Sequence, residues 1–185
     1  MSNDPRRIPY SERTFGESTL DRARPIRLVV FDVDGVLTDG KITYLANGLE
    51  IKSFSVKDGQ GISLLHQRGI STAIISARDS AVTDLRAKEL GITRVYQGIK
   101  NKPAILETVC EELGVLLSHT AFMGDDFPDL ACLEMVGLPA APFDAIEEVK
   151  SAASFVSKST AGNGAVRELC DLILIAQQST VSSTL

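Results

Sequence analysis

"LVVFDVDGVLTDG", residues 28–40, decides the fold. Leu28, Val29, Val30 and Phe31 make an unbroken apolar run rich in β-branched side chains. That is the pattern of a strand covered on both faces, as in a parallel sheet. The run stops at Asp32-Val33-Asp34-Gly35. A single carboxylate at a strand end fits a solvated Asx turn. Two, aimed by one strand end, predict a site.

Working outward, the chain alternates between strand-like and helix-like stretches. "KITYLANGLEIKSFSV" alternates in polarity around Asn47-Gly48 and predicts a hairpin spanning about residues 40–56. "GISLLHQRG" reads as a helix closed by Gly69, and "ISTAIIS" as the next buried strand. "RDSAVTDLRAKELG" predicts a helix whose apolar face is Ala81, Val82, Leu85 and Leu90, ending at Gly91. "ITRVYQG" is a short strand, and "KPAILETVCEELG" a helix that tolerates Pro103 in its first turn. Strand "HTAFMG", helix "FPDLACLEMVG", strand "LPAA", helix "DAIEEVKSA", strand "SFVS" and helix "NGAVRELCDLILIAQQ" complete the series. This alternation predicts an α/β fold, a doubly wound, mostly parallel sheet with helices on both faces. The expected organisation is one domain over residues 26–178, with residues 1–25 a flexible extension and 179–185 a frayed end.

The bulk numbers fit that picture. A chain of 185 residues, 44% hydrophobic and 23% charged, can bury a core without disulfides. A net charge of −5 gives no sign of a nucleic-acid or membrane-surface binder. No apolar run reaches the roughly 20 residues of a membrane helix. The N-terminal stretch carries five arginines but no apolar signal segment. Cys110, Cys132 and Cys170 lie far apart without a CxxC, which reads as reduced thiols in a cytosolic core. His66 and His119 are isolated and read as ordinary surface or core histidines.

In open α/β sheets ligands bind beyond the carboxyl ends of the strands. The sheet reading sends Asp32 and Asp34, then Ser76, then Asp125, Asp126 and Asp129 to one edge, with Lys102 opening a helix beside them. Clustered carboxylates repel one another and need a cation, and hard oxygen donors without histidine or thiolate select Mg²⁺. A carboxylate can attack phosphorus, a second can manage protons, and a hydroxyl and an ammonium can hold phosphoryl oxygens. The set has the parts of a metal-assisted phosphoryl transfer.

These residues resemble the haloacid dehalogenase superfamily of phosphatases. "DVDGVLTDG" matches the signature DxDGxxTD, Ser76 stands at the second motif, Lys102 at the third and "GDDFPD" at the fourth. Over residues 26–178 the likeness extends to the members acting on 3-deoxy-D-manno-octulosonate 8-phosphate. It is carried by "VKDGQGI", "LGITRVYQGIKNK", "MGDDFPDL" and "GNGAVRELCDLILIAQ". The resemblance implies Asp32 as nucleophile and Asp34 as general acid/base. It implies Mg²⁺ on the Asp32 carboxylate, the Asp34 backbone carbonyl and Asp125, with Asp126 and Asp129 around them. Gly35, Ser76 and Lys102 would bind the phosphoryl group. Members of this subgroup lack a large cap domain. The hairpin would be a flap, four subunits would pack through such flaps, and a C-terminal segment would reach a neighbouring site. A cytoplasmic enzyme of lipopolysaccharide sugar synthesis would follow.

Two departures bear on the substrate. The second motif, usually Thr-Gly-Arg, is Ser76-Ala77-Arg78 here, which keeps the hydroxyl and a guanidinium suited to a substrate carboxylate. The related nonulosonate 9-phosphate phosphatases tend to carry glutamate at Arg78, so the arginine favours the octulosonate. The segment usually reading Gly-Gly-Arg-Gly is Ala161-Gly162-Asn163-Gly164, so a cation is missing. Lys57 and Arg167 are candidates to replace it. Two other readings compete, a receiver-like phospho-acceptor and an idle partner domain. Asp34 separates the enzyme from the receiver, whose aspartyl-phosphate must persist.

Overall fold

The computed structural model describes residues 15–181. Its elements are α1 (Glu17–Ala23), β1 (Leu28–Phe31), β2 (Thr43–Tyr44), β3 (Glu50–Ile51), α2 (Val56–Gln67), β4 (Ser71–Ile75), α3 (Ala81–Leu90), β5 (Arg94–Tyr96) and α4 (Lys102–Leu113). Then follow β6 (Thr120–Met123), a 3₁₀ turn at Phe127–Asp129, α5 (Leu130–Met135), β7 (Leu138–Ala141), α6 (Glu147–Ala152), β8 (Phe155–Val156) and α7 (Ala165–Val181). Six strands pair in the order β5-β4-β1-β6-β7-β8, every pair parallel. β2 and β3 form a separate antiparallel hairpin.

β1 explains its own composition. Val29 and Phe31 enter a core shared with Ile62 and Leu65 of α2 and Leu169 and Ile173 of α7. Leu28 and Val30 point the other way, to Leu106 and Val109 of α4 and Leu133 of α5. All four are fully buried, so neither face tolerates a polar residue. Each such side chain contributes about 1.5–3 kcal/mol by leaving water.

α7 is fastened by a residue distant in sequence. Asp58 of α2, itself buried, accepts from the Arg167 N–H at 2.9 Å and the Gly164 N–H at 3.3 Å. It therefore caps a helix other than its own. Gly61 brings α2 against α7, since a Cβ there would stand 3.0 Å from the Cys170 Cβ. "VKDGQGI" and "GNGAVREL" are thus two halves of one junction.

Three expectations are corrected. Residues 15–25 are not a loose extension: Leu20 and Ala23 bury one face of α1, and the Phe15 ring meets Phe155 edge-on at 6.0 Å. Two apolar residues three apart suffice because α1 lies on the apolar α7. Residues 1–14 and 182–185 lie outside the described residues. The C-terminal boundary also moves, because α7 runs to Val181. The face of α3 is rotated from the apolar reading: Thr83 and Ala87 are buried, Ala81 and Leu85 exposed. Small side chains let α3 lie against α2, where Arg86 reaches the Ser55 carbonyl at 3.3 Å and stands over the Phe54 ring.

Candidate active site

Parallel pairing sends the ends of β1, β4 and β6 to the same edge, with Phe31 level with Ile74 and Met123. The strand order reverses direction at β1, which is where a doubly wound sheet opens a crevice. Asp32 follows β1, and its N–H still donates to the Met123 carbonyl at 3.1 Å, so the ladder fixes its start. The chain then folds tightly on Val33, whose carbonyl accepts from the N–H groups of Val36, Leu37 and Thr38. Val33 itself is buried beneath the turn. Gly35 has φ +92°, and a Cβ there would overlap the Asp125 carboxylate.

Asp32, Asp125 and Asp129 each bring a carboxylate oxygen within 4.8 Å of the others. Lys102, at the start of α4, enters from one side, its Nζ 2.8 Å from Asp32 Oδ1 and 2.6 Å from Asp129 Oδ1. Its side chain is only 4% exposed. The other Asp129 oxygen accepts from the Asp125 N–H at 3.0 Å. Asp129 therefore orients both the lysine and the loop carrying Asp125. Asp126 is exposed and caps the 3₁₀ turn, accepting from the Phe127 N–H at 2.8 Å.

The electrostatics are unbalanced. Burial pushes the Asp125 carboxyl up to about 8, with Asp32 and Asp129 adding repulsion. Burial also raises Asp32, to about 6, against the pull of Lys102. Burial works against the Lys102 ammonium, but Asp32 and Asp129 outweigh it and hold its pKa up. With all three carboxyls ionised they face one ammonium, a deficit of two positive charges. An all-oxygen set with that deficit fits a hard divalent cation such as Mg²⁺.

Asp34 looks elsewhere. Its Oδ1 pairs with Lys52, whose side chain is 2% exposed, and Oδ2 lies 3.3 Å from Arg78 Nε. Ser76 is buried after β4, its hydroxyl accepting from the Arg78 N–H at 3.3 Å. Lys57 stands exposed on the first turn of α2 and has no described contact with the cluster. Arg167 pairs instead with Asp171 at 2.8 Å, one turn along α7. Asn163 lies in a turn beside Gly162, whose N–H donates to the Val36 carbonyl at 3.0 Å and whose α-carbon abuts Thr38. These glycines serve a close approach within the chain.

Sequence reasoning missed Glu50 and Lys52. Two charges two residues apart on a hairpin share a face, but nothing in the sequence says that this face turns to the site. His66 is an ordinary histidine, its Nε2 2.6 Å from the Thr72 hydroxyl.

The sequence profile of haloacid dehalogenase-like hydrolases matches residues 49–137. A 3-deoxy-D-manno-octulosonate 8-phosphate phosphatase of Escherichia coli strain K12 is 42% identical over 84% of this chain and 83% of its own length. The chain belongs to the haloacid dehalogenase-like hydrolases. Among solved structures of these hydrolases, the octulosonate 8-phosphate phosphatase of Moraxella catarrhalis, in complex with magnesium ion, phosphate ion and KDO, matches with a TM-score of 0.86. It is 40% identical and is covered in full, over 92% of this chain. The cobalt-bound phosphatase of Haemophilus influenzae gives 0.83 at 39% identity, over 89% of this chain and 96% of that one. This haloacid dehalogenase-like hydrolase therefore has the fold and the cation-ready carboxylate cluster of an enzyme acting on phosphoric monoesters.

Proposed function

We propose that this chain hydrolyses 3-deoxy-D-manno-octulosonate 8-phosphate to the free sugar acid and inorganic phosphate, through an aspartyl-phosphate on Asp32. The observation that carries the reading is the divergence of two carboxylates from one strand end. Asp32 faces Lys102 and the acidic cluster, whereas Asp34 faces Lys52 and Arg78. Separate surroundings suit separate tasks. A receiver-like phospho-acceptor has no use for the second carboxyl.

In this reading an Asp32 oxygen attacks phosphorus while the bond to the sugar oxygen breaks. The bonding pair passes to that oxygen, which takes the proton of Asp34. Water then attacks phosphorus and gives its proton to Asp34. The bond from Asp32 breaks and phosphate leaves. Lys102, the Ser76 hydroxyl and the backbone at Gly35 hold the phosphoryl oxygens as charge spreads over them. Asp32, Asp125 and the Asp34 backbone carbonyl would hold Mg²⁺, which would supply neutralising charge for the phosphoryl group.

The octulosonate is supported by the relatives named for that reaction and by the Moraxella catarrhalis structure holding KDO. Arg78 is assigned to the substrate carboxylate, and Lys57 to the rim. The flap exposes Ile42, Tyr44, Leu45, Leu49 and Ile51, an apolar arm that supports packing of flaps in a homotetramer. Free, buried Cys110, Cys132 and Cys170 support a cytoplasmic location.

The test is phosphate release, with and without Mg²⁺, from the octulosonate 8-phosphate, a nonulosonate 9-phosphate and 4-nitrophenyl phosphate. A strong Mg²⁺-dependent preference for the first is expected. Activity on the aryl phosphate alone keeps the chemistry and discards the substrate.

A further inference from the structure

The flap carries two charges that the mechanism above does not use. Glu50 and Lys52 leave the same face of the hairpin, and that face is turned to the site, while Ile51 between them is exposed. Lys52 pairs with Asp34. Glu50 engages both of its oxygens: one accepts from Arg78 Nη2 at 2.5 Å, the other from the Ser80 hydroxyl at 2.6 Å.

Ser80 is itself held. Its N–H donates to Gln97 Oε1 at 3.0 Å, and Gln97 Nε2 donates to the Ser80 carbonyl at 3.3 Å and to Asp84 at 2.8 Å. A line of bonds thus runs from the β5 edge and the start of α3, through Glu50, to the Arg78 guanidinium. That guanidinium also faces Asp34 at 3.3 Å. An arginine side chain has many rotamers, and fixing it in advance removes an ordering cost from binding. Glu50 and Lys52 come from the flap, and they pair with Arg78 and with its neighbour Asp34, so flap position and guanidinium position are one arrangement.

We propose that Glu50 is a positioning residue that presets Arg78 for the acid group of the substrate and so sets the preference for sugar-acid phosphates. The inference rests on the assignment of Arg78 to the substrate carboxylate. A carboxylate that merely competed for Arg78 would have to swing away when substrate enters. Tied at both oxygens, Glu50 acts as a strut.

The experiment compares Glu50→Gln with the wild type in Mg²⁺, on the octulosonate 8-phosphate and on 4-nitrophenyl phosphate, which lacks a carboxylate. Glutamine keeps the size and the bond to Ser80. The expected result is a rise of about tenfold in KM for the sugar acid with kcat within about threefold, as for the loss of one preset charged contact. The preference over the aryl phosphate then falls about tenfold. A lowered KM for the sugar acid would make Glu50 a competitor and overturn the proposal. Equal losses on both substrates, with a lower melting temperature, would overturn it in favour of a purely structural role. Arg78→Ala, measured alongside, separates the layers. If that variant does not lose the same preference, the substrate reading itself falls. If it does while Glu50→Gln keeps the preference, only the strut is refuted.

Discussion

The Lys102 ammonium stands 2.8 Å from the Asp32 carboxylate, joining the first turn of α4 to the end of β1 in the buried centre of the site. It is the only cation paired with the Asp32, Asp125 and Asp129 cluster among the described residues, and it also holds Asp129. Lys102→Met therefore strips two buried carboxylates of their partner. Breaking a buried pair from one side costs about 3–5 kcal/mol. A fall of that order in urea-unfolding free energy is expected, with near-complete loss of phosphate release and partial recovery of stability in Mg²⁺. Stability equal to wild type in EDTA would show that the pair is not formed.

Asp32→Asn keeps the size of the side chain and removes the oxygen anion proposed to attack phosphorus. Turnover should fall by at least about a thousandfold, roughly 4 kcal/mol of transition-state stabilisation, with an unchanged far-ultraviolet circular dichroism spectrum. Substantial residual turnover would remove Asp32 from the nucleophile's role.

The carboxyls of Asp125 and Asp32 are raised, to about 8 and about 6, chiefly by burial. A carboxyl raised in the folded state binds its proton more tightly there than in the unfolded chain. Its contribution is present at low pH and lost as pH rises through the folded value. In EDTA, then, the melting temperature should decline between about pH 4 and pH 8 from these groups. Mg²⁺ removes the penalty, so its stabilising increment should grow over the same interval. An increment independent of pH would contradict the raised values.

Asp58 tests the fold apart from the chemistry. Asp58→Ala deprives the Gly164 and Arg167 N–H groups of their acceptor. A loss of about 1–3 kcal/mol is expected from the missing cap and the unmet donors. Read by urea midpoint, the variant should be destabilised while KM stays close to wild type. A shifted KM would tie the α2–α7 junction to substrate binding.

Much of this was legible in advance because a parallel sheet delivers every strand's carboxyl end to one edge. An apolar run ending in Asp32, another in Ser76 and a third before Asp125 therefore had to meet. Lys102 followed because a helix start lies at that edge. Glu50 and Lys52 were not legible. On a hairpin with exposed Ile42, Leu45 and Leu49, two charges look like solvated surface, and only the flap's inward tilt buries them. α1 was hidden by its polarity, since Leu20 and Ala23 matter only once α7 is beneath them. The stripe of α3 misled because its buried residues, Thr83 and Ala87, are small.

Gly162 leans on Thr38, and Asp58 holds the N-terminus of α7, so contacts spanning more than a hundred residues buttress the turn that follows β1. A ribosome makes that turn early and its support late. The edge that carries Asp32 and Asp34 therefore gains its far buttresses only once α7 is in place.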